Sequence, residues 1–397
     1  MRLAILTSTL FKMGGAQIFA RNIALQLARQ GNAVDVYTPD AALAPPGAVP
    51  YRVKGLPPRF FPIAGRFPPL GRMLTTAYLG MLQRTRRYDG WLAIMSYPSG
   101  YVTSGLRGRV PIALRCSGED IQKSADLGYG LRLDPVVEGR IARTLRSFDR
   151  LVALTPSVSQ EFADLGIGPE RVVVIPNGVD LDRLRPVADG SPEREGLRAA
   201  LGWPQDRLVV LTIGRNHVKK GYDLIPGIAR RLADDGIGFH WYVVGLGSGR
   251  IQAALDAAEV AHLVTCVDEI GVSAQEGGAA VPPAEIVRMY QAADVFAFPS
   301  LLETFGMVQI EAMAAGVAVV STDAPGCRDV VEPGVNGLRA VAGDEASFTW
   351  ELRRLLVDPA LRADLAAKGR RFAEGYGWES VARRYEDLFA GLAEARA

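Results

Sequence analysis

The sequence predicts an α/β protein built from two doubly wound, Rossmann-like domains, and three observations carry that expectation. Short, nearly continuous apolar runs alternate with helical patterns through both halves. No repeat with a period of roughly 20 to 50 residues points to a solenoid or propeller. The length of 397 residues supplies two cores at about 150 residues each.

In the first half the expected strands are Leu3–Leu6, Ala33–Tyr37, Trp91–Met95, Ile112–Arg115, Leu151–Leu154 and Val172–Ile175. The second half offers Leu208–Ile213, His240–Val244, Leu263–Val267, Val295–Phe298 and Val317–Ser321. Each is short and apolar enough for a parallel strand covered on both faces. The expected boundaries are a first domain over 1–180, a linker over 181–206 and a second domain over 207–377. In the linker Pro186, Gly190, Pro192 and Pro204 interrupt any hydrophobic period. Ligands of open α/β sheets bind beyond the carboxyl ends of the strands, so the default site is a cleft where the two domains face each other.

Composition narrows the function classes. Hydrophobic residues at 48% and charged residues at 22% exclude a disordered chain, and 45 Lys plus Arg against 43 Asp plus Glu exclude a general glove for nucleic acid. Cys116, Cys266 and Cys327 form no Cys-x-x-Cys pair, which argues against disulfide frameworks and thiolate metal clusters and fits a cytoplasmic location. The opening MRLAILTSTLFK is too polar and short for a secretory core, and the uncharged stretch Gly90–Leu106 falls short of the roughly 20 apolar residues that span a bilayer.

Two stretches can carry chemistry. After the strand ending at Ile213 comes Gly214-Arg215-Asn216-His217-Val218-Lys219-Lys220-Gly221, a turn with cations at both ends before a helix. A guanidinium, an ammonium and a helix amino terminus together suit a diphosphate, although a solvated basic loop has the same composition. After the strand ending at Phe298, the segment Pro299–Gly316 places Glu303 in a loop and Glu311 in a helix. Helical spacing sets Glu311 beside Met307, Val308, Ala314 and Ala315, where a carboxylate needs hydroxyl or cationic partners. Singly, Glu303 also reads as a charge placed before a helix and Glu311 as half of a buried ion pair.

Taken together these residues resemble glycosyltransferase family 4. The resemblance rests on two glutamates separated by seven residues, the Gly-Arg to Lys-Gly loop, and Ile175-Pro176-Asn177-Gly178-Val179-Asp180. It runs from Gly14-Gly15-Ala16-Gln17 to Gly377-Trp378-Glu379, so it covers nearly the whole chain. The resemblance implies the GT-B fold, with a first domain for the acceptor, a second for the nucleotide sugar, and a last helix, about 378–397, packed back on the first domain.

By position, the resemblance assigns Arg215 and Lys220 to the diphosphate, Glu303 to the transferred sugar and Glu311 to the ribose. The backbone of Thr304, Phe305, Gly306 and Met307 would meet sugar hydroxyls and phosphate. Gly15 would approach the phosphates from the other domain, and Ile270 and Gly271 would contact the base. The implied reaction moves a hexose from a UDP or GDP sugar to a glycan, glycolipid or natural-product acceptor with retention of configuration and without a metal or other cofactor. A donor phosphate oxygen assists deprotonation of the acceptor, so no enzyme nucleophile is needed. A non-catalytic relative that keeps the nucleotide pocket is the first alternative.

One departure bears on the acceptor side. Many family members carry a first-domain histidine before a glycine and an acid, and the matching stretch here is Arg115-Cys116-Ser117-Gly118-Glu119-Asp120. The only histidines are His217, His240 and His262. Ser117, Glu119 and Asp120 are therefore the acceptor-side candidates, with helix capping the competing role for the two acids. A second departure is Ser273–Pro283, longer and richer in Gly and Ala than the family's usual connection.

Two signals weigh less. Asp180-Leu181-Asp182 spells a metal-type pair but continues the Pro-Asn-Gly-Val-Asp motif, so no metal site is expected. Gly245-Leu246-Gly247-Ser248-Gly249 with Asp268 imitates a dinucleotide fingerprint, but Arg250 stands in the third glycine's place, and an NAD-dependent dehydrogenase remains only a minor alternative.

Charge is uneven along the chain. Residues 51–115 hold 11 Lys or Arg against Asp89 alone, a local balance of 11 minus 1, or +10. With Phe60, Phe61 and Phe67 interleaved, this basic region could rest peripherally on the inner face of an anionic membrane or receive a phosphorylated acceptor. The helical spacing of Leu70, Met73, Leu74, Ala77, Tyr78, Met81 and Leu82 is expected instead to be a core face.

Overall fold

The computed structural model describes residues 1–11, 14–43, 49–56, 69–268 and 282–396. The chain divides into two compact units, one comprising Met1–Gly178 with Trp378–Ala397 and the other Val179–Gly377.

Unit 1 runs β1 (Arg2–Leu6), α1 (Gly15–Arg29), β2 (Ala33–Thr38), β3 (Arg52–Gly55), α2 (Pro69–Arg86), β4 (Gly90–Ile94), α3 (Tyr101–Thr103), β5 (Ile112–Arg115), α4 (Pro135–Leu145), β6 (Arg150–Ala153), α5 (Pro156–Asp164) and β7 (Val172–Val174). Its parallel sheet has the order β3-β2-β1-β4-β5-β6-β7. In the centre Ile5 pairs with Val36 on one side and Leu92 on the other, and β1 and β4 are buried nearly throughout. Strands sealed on both faces need no polar alternation, which is why they read as apolar runs.

Unit 2 contains α6 (Pro192–Leu201), β8 (Leu208–Ile213), α7 (Ile225–Asp234), β9 (Phe239–Val244), α8 (Gln252–Ala257), β10 (Val264–Val267), α9 (Ala284–Ala292), β11 (Val295–Ala297), α10 (Met307–Ala314), β12 (Ala318–Thr322), β13 (Leu338–Ala340), α11 (Glu345–Val357) and α12 (Pro359–Glu374). The sheet order is β10-β9-β8-β11-β12-β13, again parallel. Its core is filled by β-strand residues such as Val210, Trp241 and Val320 packed against Ile228, Leu232, Leu352 and Leu355.

The final helix, α13 (Trp378–Glu394), belongs to unit 1 and lies on α1. Phe19 meets Trp378 and Tyr385 with ring centroids 6.1 and 5.6 Å apart. At Gly178 a Cβ would fall 2.4 Å from the Trp378 ring, so the close approach requires glycine.

Three features differ from the sequence expectation. The edge strands β3 and β13 are absent from the apolar runs because they are short and carry Arg52, Lys54 and Arg339. Residues 181–206, expected as a linker, contain α6, which belongs to unit 2. Ser191 caps this helix, Pro192 opens it, and Arg194 and Arg198 bind buried Asp294 at 2.8 and 2.5 Å. Asp294 also accepts the Val209 amide at 2.6 Å. Ionic anchoring of this kind leaves no hydrophobic period to read.

The third difference concerns α2. Its buried residues are Thr75, Leu79, Gly80 and Leu82, whereas Leu70, Met73, Leu74, Ala77 and Met81 of the expected core face are exposed. Periodicity revealed an apolar stripe but not whether anything covers it.

In both sheets the order reverses beside the first strand of the unit, between β1 and β4 and between β8 and β11. The loops leaving such neighbours splay apart and open a crevice at their carboxyl ends.

Candidate functional site

The unit 2 reversal brings together the two stretches singled out by sequence. Loop 214–221 leaves β8 and loop 298–306 leaves β11. They are stitched by backbone and side chain: the Leu301 amide donates to Lys219 O at 2.7 Å, and Ser300 Oγ donates to the same oxygen at 2.9 Å. At Gly221, φ is 65° and a Cβ would lie 2.0 Å from Pro299 O, so only glycine lets the loops meet.

Glu303 sits at their junction, 6% exposed. Lys220 Nζ donates to its Oε1, Lys219 Nζ lies 3.7 Å from Oε2, and Ser300 Oγ donates to Oε1 at 3.3 Å. Burial alone would push this carboxyl up, but the Lys220 and Lys219 ammonium groups and the hydrogen bonds outweigh it and hold Glu303 below the ordinary range. Lys220 also stands 4.7 Å over the Phe298 ring. Arg215 is exposed and makes no hydrogen bond or ion pair with a described residue. Burial and the neighbouring Lys219, Arg215 and Lys220 charges push His217 down, so this edge of the site favours anions.

Lys219 and Lys220 pair with one carboxylate, Glu303, and Arg215 stands on the same loop beside His217, so the loop's three cations exceed that carboxylate by two charges. Lys219 was missed in the sequence as a partner of Glu303. Its adjacency to Lys220 marked it as a cation of the same loop but not as a partner of Glu303.

Gly306 turns the chain into α10 at φ 72° and supplies no side-chain cap. The Met307 and Val308 amides of the first turn therefore lack helical carbonyl partners and are available to an oxygen-rich ligand. Phe305 is 2% exposed and packs toward Tyr376 at a centroid distance of 6.0 Å, so only its backbone can serve a ligand. Thr304 is buried as well, at 9% exposure.

One turn further on, Glu311 is buried on α10 and accepts a hydrogen bond from the Tyr290 hydroxyl of α9 at 2.9 Å. The partner is a hydroxyl rather than the cation of a buried ion pair. Burial pushes the Glu311 carboxyl up to about 7, and the single hydroxyl only partly offsets it. With seven residues between them, the two glutamates thus have opposite electrostatic settings.

Ile270 and Gly271 lie outside the described residues, as do Phe60, Phe61 and Phe67 and most of the Ser273–Pro283 insertion. Asp268 accepts the Gly249 amide at 3.0 Å and Ser248 Oγ at 3.3 Å. The acid of the dinucleotide-like stretch is therefore occupied by its own turn. Asp180 Oδ1 accepts the Arg183 amide at 3.1 Å, a turn-capping contact.

In unit 1, Gly15 is exposed at the first position of α1, with first-turn amides beside it. Asp120 is fully buried and ties two loops together: Oδ2 accepts the Ser96 amide at 2.6 Å and Oδ1 the Ser117 amide at 2.8 Å. Burial pushes its pKa up, with those amides opposing the shift. Glu119 is exposed in the same turn, and the half-buried Ser117 has a hydroxyl without a hydrogen-bond partner among the described residues. No helix follows the two acids directly, so neither caps one, and it is Asp120 that braces the turn.

Comparison with known proteins adds the following. Residues 13–183 match the family model described as Glycosyltransferase Family 4, and residues 193–372 match that described as Glycosyl transferases group 1. The chain is 32% identical to D-inositol 3-phosphate glycosyltransferase 1 of Catenulispora acidiphila, across 99% of this chain and 95% of that protein. It is 30% identical to D-inositol 3-phosphate glycosyltransferase of Xylanimonas cellulosilytica, across 96% and 93%. Among solved structures, sucrose-phosphate synthase from Thermosynechococcus elongatus superposes with a TM-score of 0.80 at 21% identity, covering 99% of both chains. Anabaena Alr3699/HepE in complex with UDP superposes at 0.74 with 20% identity, covering 98% of this chain and 100% of that one. These structural likenesses extend the GT-B fold to both units.

Proposed function

The chain belongs to glycosyltransferase family 4, and on that premise we propose that it transfers a hexose from a nucleoside diphosphate sugar, UDP- or GDP-linked, to a hydroxyl of its acceptor with retention of configuration. The observation that carries this reading is the charged cluster at the ends of β8 and β11. Its surplus of two positive charges suits a diphosphate, and Arg215 offers a fork not committed to a described protein partner.

Arg215 and Lys220 neutralise the departing diphosphate. Such electrostatic stabilisation often supplies the largest part of a transfer reaction's acceleration. Glu303 orients Lys220 and faces the transferred sugar, and the α10 first-turn amides of Met307 and Val308, with the backbone of Thr304 to Gly306, take phosphate and sugar oxygens. Glu311 receives the ribose hydroxyls, whose hydrogen bonds favour its charged form. No metal or other cofactor enters this scheme.

The acceptor is a glycan, glycolipid or natural product. D-inositol 3-phosphate, named in the relatives, is the first to assay. The reading is tested by thermal shift with UDP, GDP, ADP, TDP and NAD, followed by transfer from the matching sugar nucleotide. Stabilisation by one nucleoside diphosphate that disappears in Glu311→Ala supports it, while a shift with NAD alone overturns it. The anomeric configuration of the product, read by NMR, tests retention.

A further inference from the structure

Helix α2 has two apolar sides, and among the described residues only one is covered. Thr75, Leu79 and Leu82 are buried in unit 1. Thr76 and Gly80 abut the 101–109 segment, where Thr76 Oγ1 donates to Val102 O at 3.1 Å and a Cβ at Gly105 would lie 2.1 Å from Thr76. Leu70, Met73, Leu74, Ala77 and Met81 follow one another at helical spacing on a different face, in solvent. Leu70 and Met73 are each 60% exposed and Met81 is 49% exposed. One such side chain is ordinary on a protein surface, but a continuous stripe marks an interaction face.

Charge identifies what covers it. Arg84 continues the stripe by one turn, and Arg86, Arg87, Arg107 and Arg109 are exposed nearby. None of these five is ion-paired with a carboxylate among the described residues. Arg72, Arg84 and Arg109, together with Met73, Ala77 and Met81, line an open groove of about 690 Å³. Arg72 is fixed there by Tyr101, its guanidinium 4.2 Å from the ring centroid and its Nε donating to Tyr101 O at 3.2 Å. Apolar chains framed by unpaired guanidinium groups match an anionic bilayer surface, where acyl chains receive the former and lipid phosphates the latter. A carboxylate-bearing protein partner would satisfy the arginines but would not require so long an apolar stripe. No helix among the described residues is long and apolar enough to cross a membrane.

We propose that α2 docks unit 1 peripherally onto an anionic lipid surface, with Leu70, Met73, Leu74 and Met81 entering the headgroup boundary and the Arg84 to Arg109 cluster holding lipid phosphates. The contact is independent of the transfer reaction and uses none of the residues placed at the donor site.

The test is flotation of the full chain with vesicles of phosphatidylglycerol and phosphatidylcholine, and with phosphatidylcholine alone. Binding is expected only with the anionic vesicles and weakens as salt rises. Met73→Glu/Met81→Glu should reduce it by about tenfold or more, and Arg84→Glu/Arg109→Glu should reduce it comparably at low salt. Leu70→Gln/Leu74→Gln supplies a milder second variant, and unchanged circular dichroism and nucleotide-induced stabilisation verify folding in each. Equal vesicle binding by parent and variants overturns the proposal. So does displacement by glycerol phosphate or inorganic phosphate, which would make the groove a site for a soluble ligand. A concentration-dependent dimer in sedimentation, lost in Met73→Glu/Met81→Glu, with no vesicle binding by the parent, assigns the stripe to a second copy instead.

Discussion

The two units share a strand-order reversal beside their first strand but spend their charges differently. In unit 2 the loops after β8 and β11 are joined by Lys219, Lys220, Ser300 and Glu303, a cluster with excess positive charge. In unit 1 the loops after β4 and β5 are joined by Asp120, whose oxygens are consumed by the Ser96 and Ser117 amides. The unit 1 arginines lie instead on the exposed side of α2 and the 107–109 turn. A common architecture therefore fixes where loops converge, while the side chains in those loops decide whether the convergence becomes an electrostatic site or a brace.

The largest expected effect separates two cations of unit 2. Arg215→Ala and Lys220→Ala should each lower transfer well over tenfold, because each removes a charge-assisted contact to the leaving group. Only Lys220→Ala also weakens the pairing of a buried carboxylate, and it should cost about 3 kcal/mol in denaturant titration, with Lys219 limiting the loss. Arg215→Ala should leave stability unchanged, since the residue is exposed. Equal stability losses in both variants would break the distinction between a free and a paired cation.

Next comes the brace of unit 1. Asp120→Ala strands two buried amides and should cost about 2–3 kcal/mol. Nucleotide-induced stabilisation should persist, because the cluster proposed to hold the nucleotide lies in unit 2. A selective loss of nucleotide binding without destabilisation would instead place Asp120 at a ligand.

A smaller and pH-dependent effect distinguishes the two glutamates. Folding raises the Glu311 pKa to about 7, above its unfolded value of about 4.3. The raised value means that stability is greatest below the unfolded pKa and declines as pH rises through the folded one. Glu311→Gln mimics the protonated group, so it should gain up to about 2 kcal/mol near pH 8 and little near pH 5. Glu303 has the opposite sign: its lowered pKa contributes stability above the unfolded value, lost as pH falls through the folded one. Nucleoside diphosphate affinity should rise by a few fold as pH rises through about 7 and Glu311 ionises, and Glu311→Gln should flatten that profile. Isothermal titration across this range measures both the affinity and its slope.

Much of the fold was legible because both sheets are parallel and covered on both faces, so strands such as β1 and β8 appear as unbroken apolar runs. Two of the four edge strands, β3 and β13, were not, since they are short and carry charge, whereas the edge strands β7 and β10 are apolar enough to be read. At the charged cluster of unit 2 and the helix beside it, Arg215, Lys220, Glu303 and Glu311 could be singled out from residue type and order. Lys219 as a partner of Glu303, and Tyr290 as the partner of Glu311, could not, because neither pairing follows from local spacing. Likewise, Arg194 and Arg198 gave no hint that α6 is anchored on Asp294, about a hundred residues away.

By itself the sequence determined the architecture and the family, because apolar periodicity and motif order are local properties written along the chain. Only the tertiary structure decided which lysines hold Glu303, that Glu311 faces a hydroxyl rather than a cation, and that no described residue covers the apolar stripe of α2. Pairing and coverage depend on distances across the fold, and a periodic pattern gives a face without giving its neighbour.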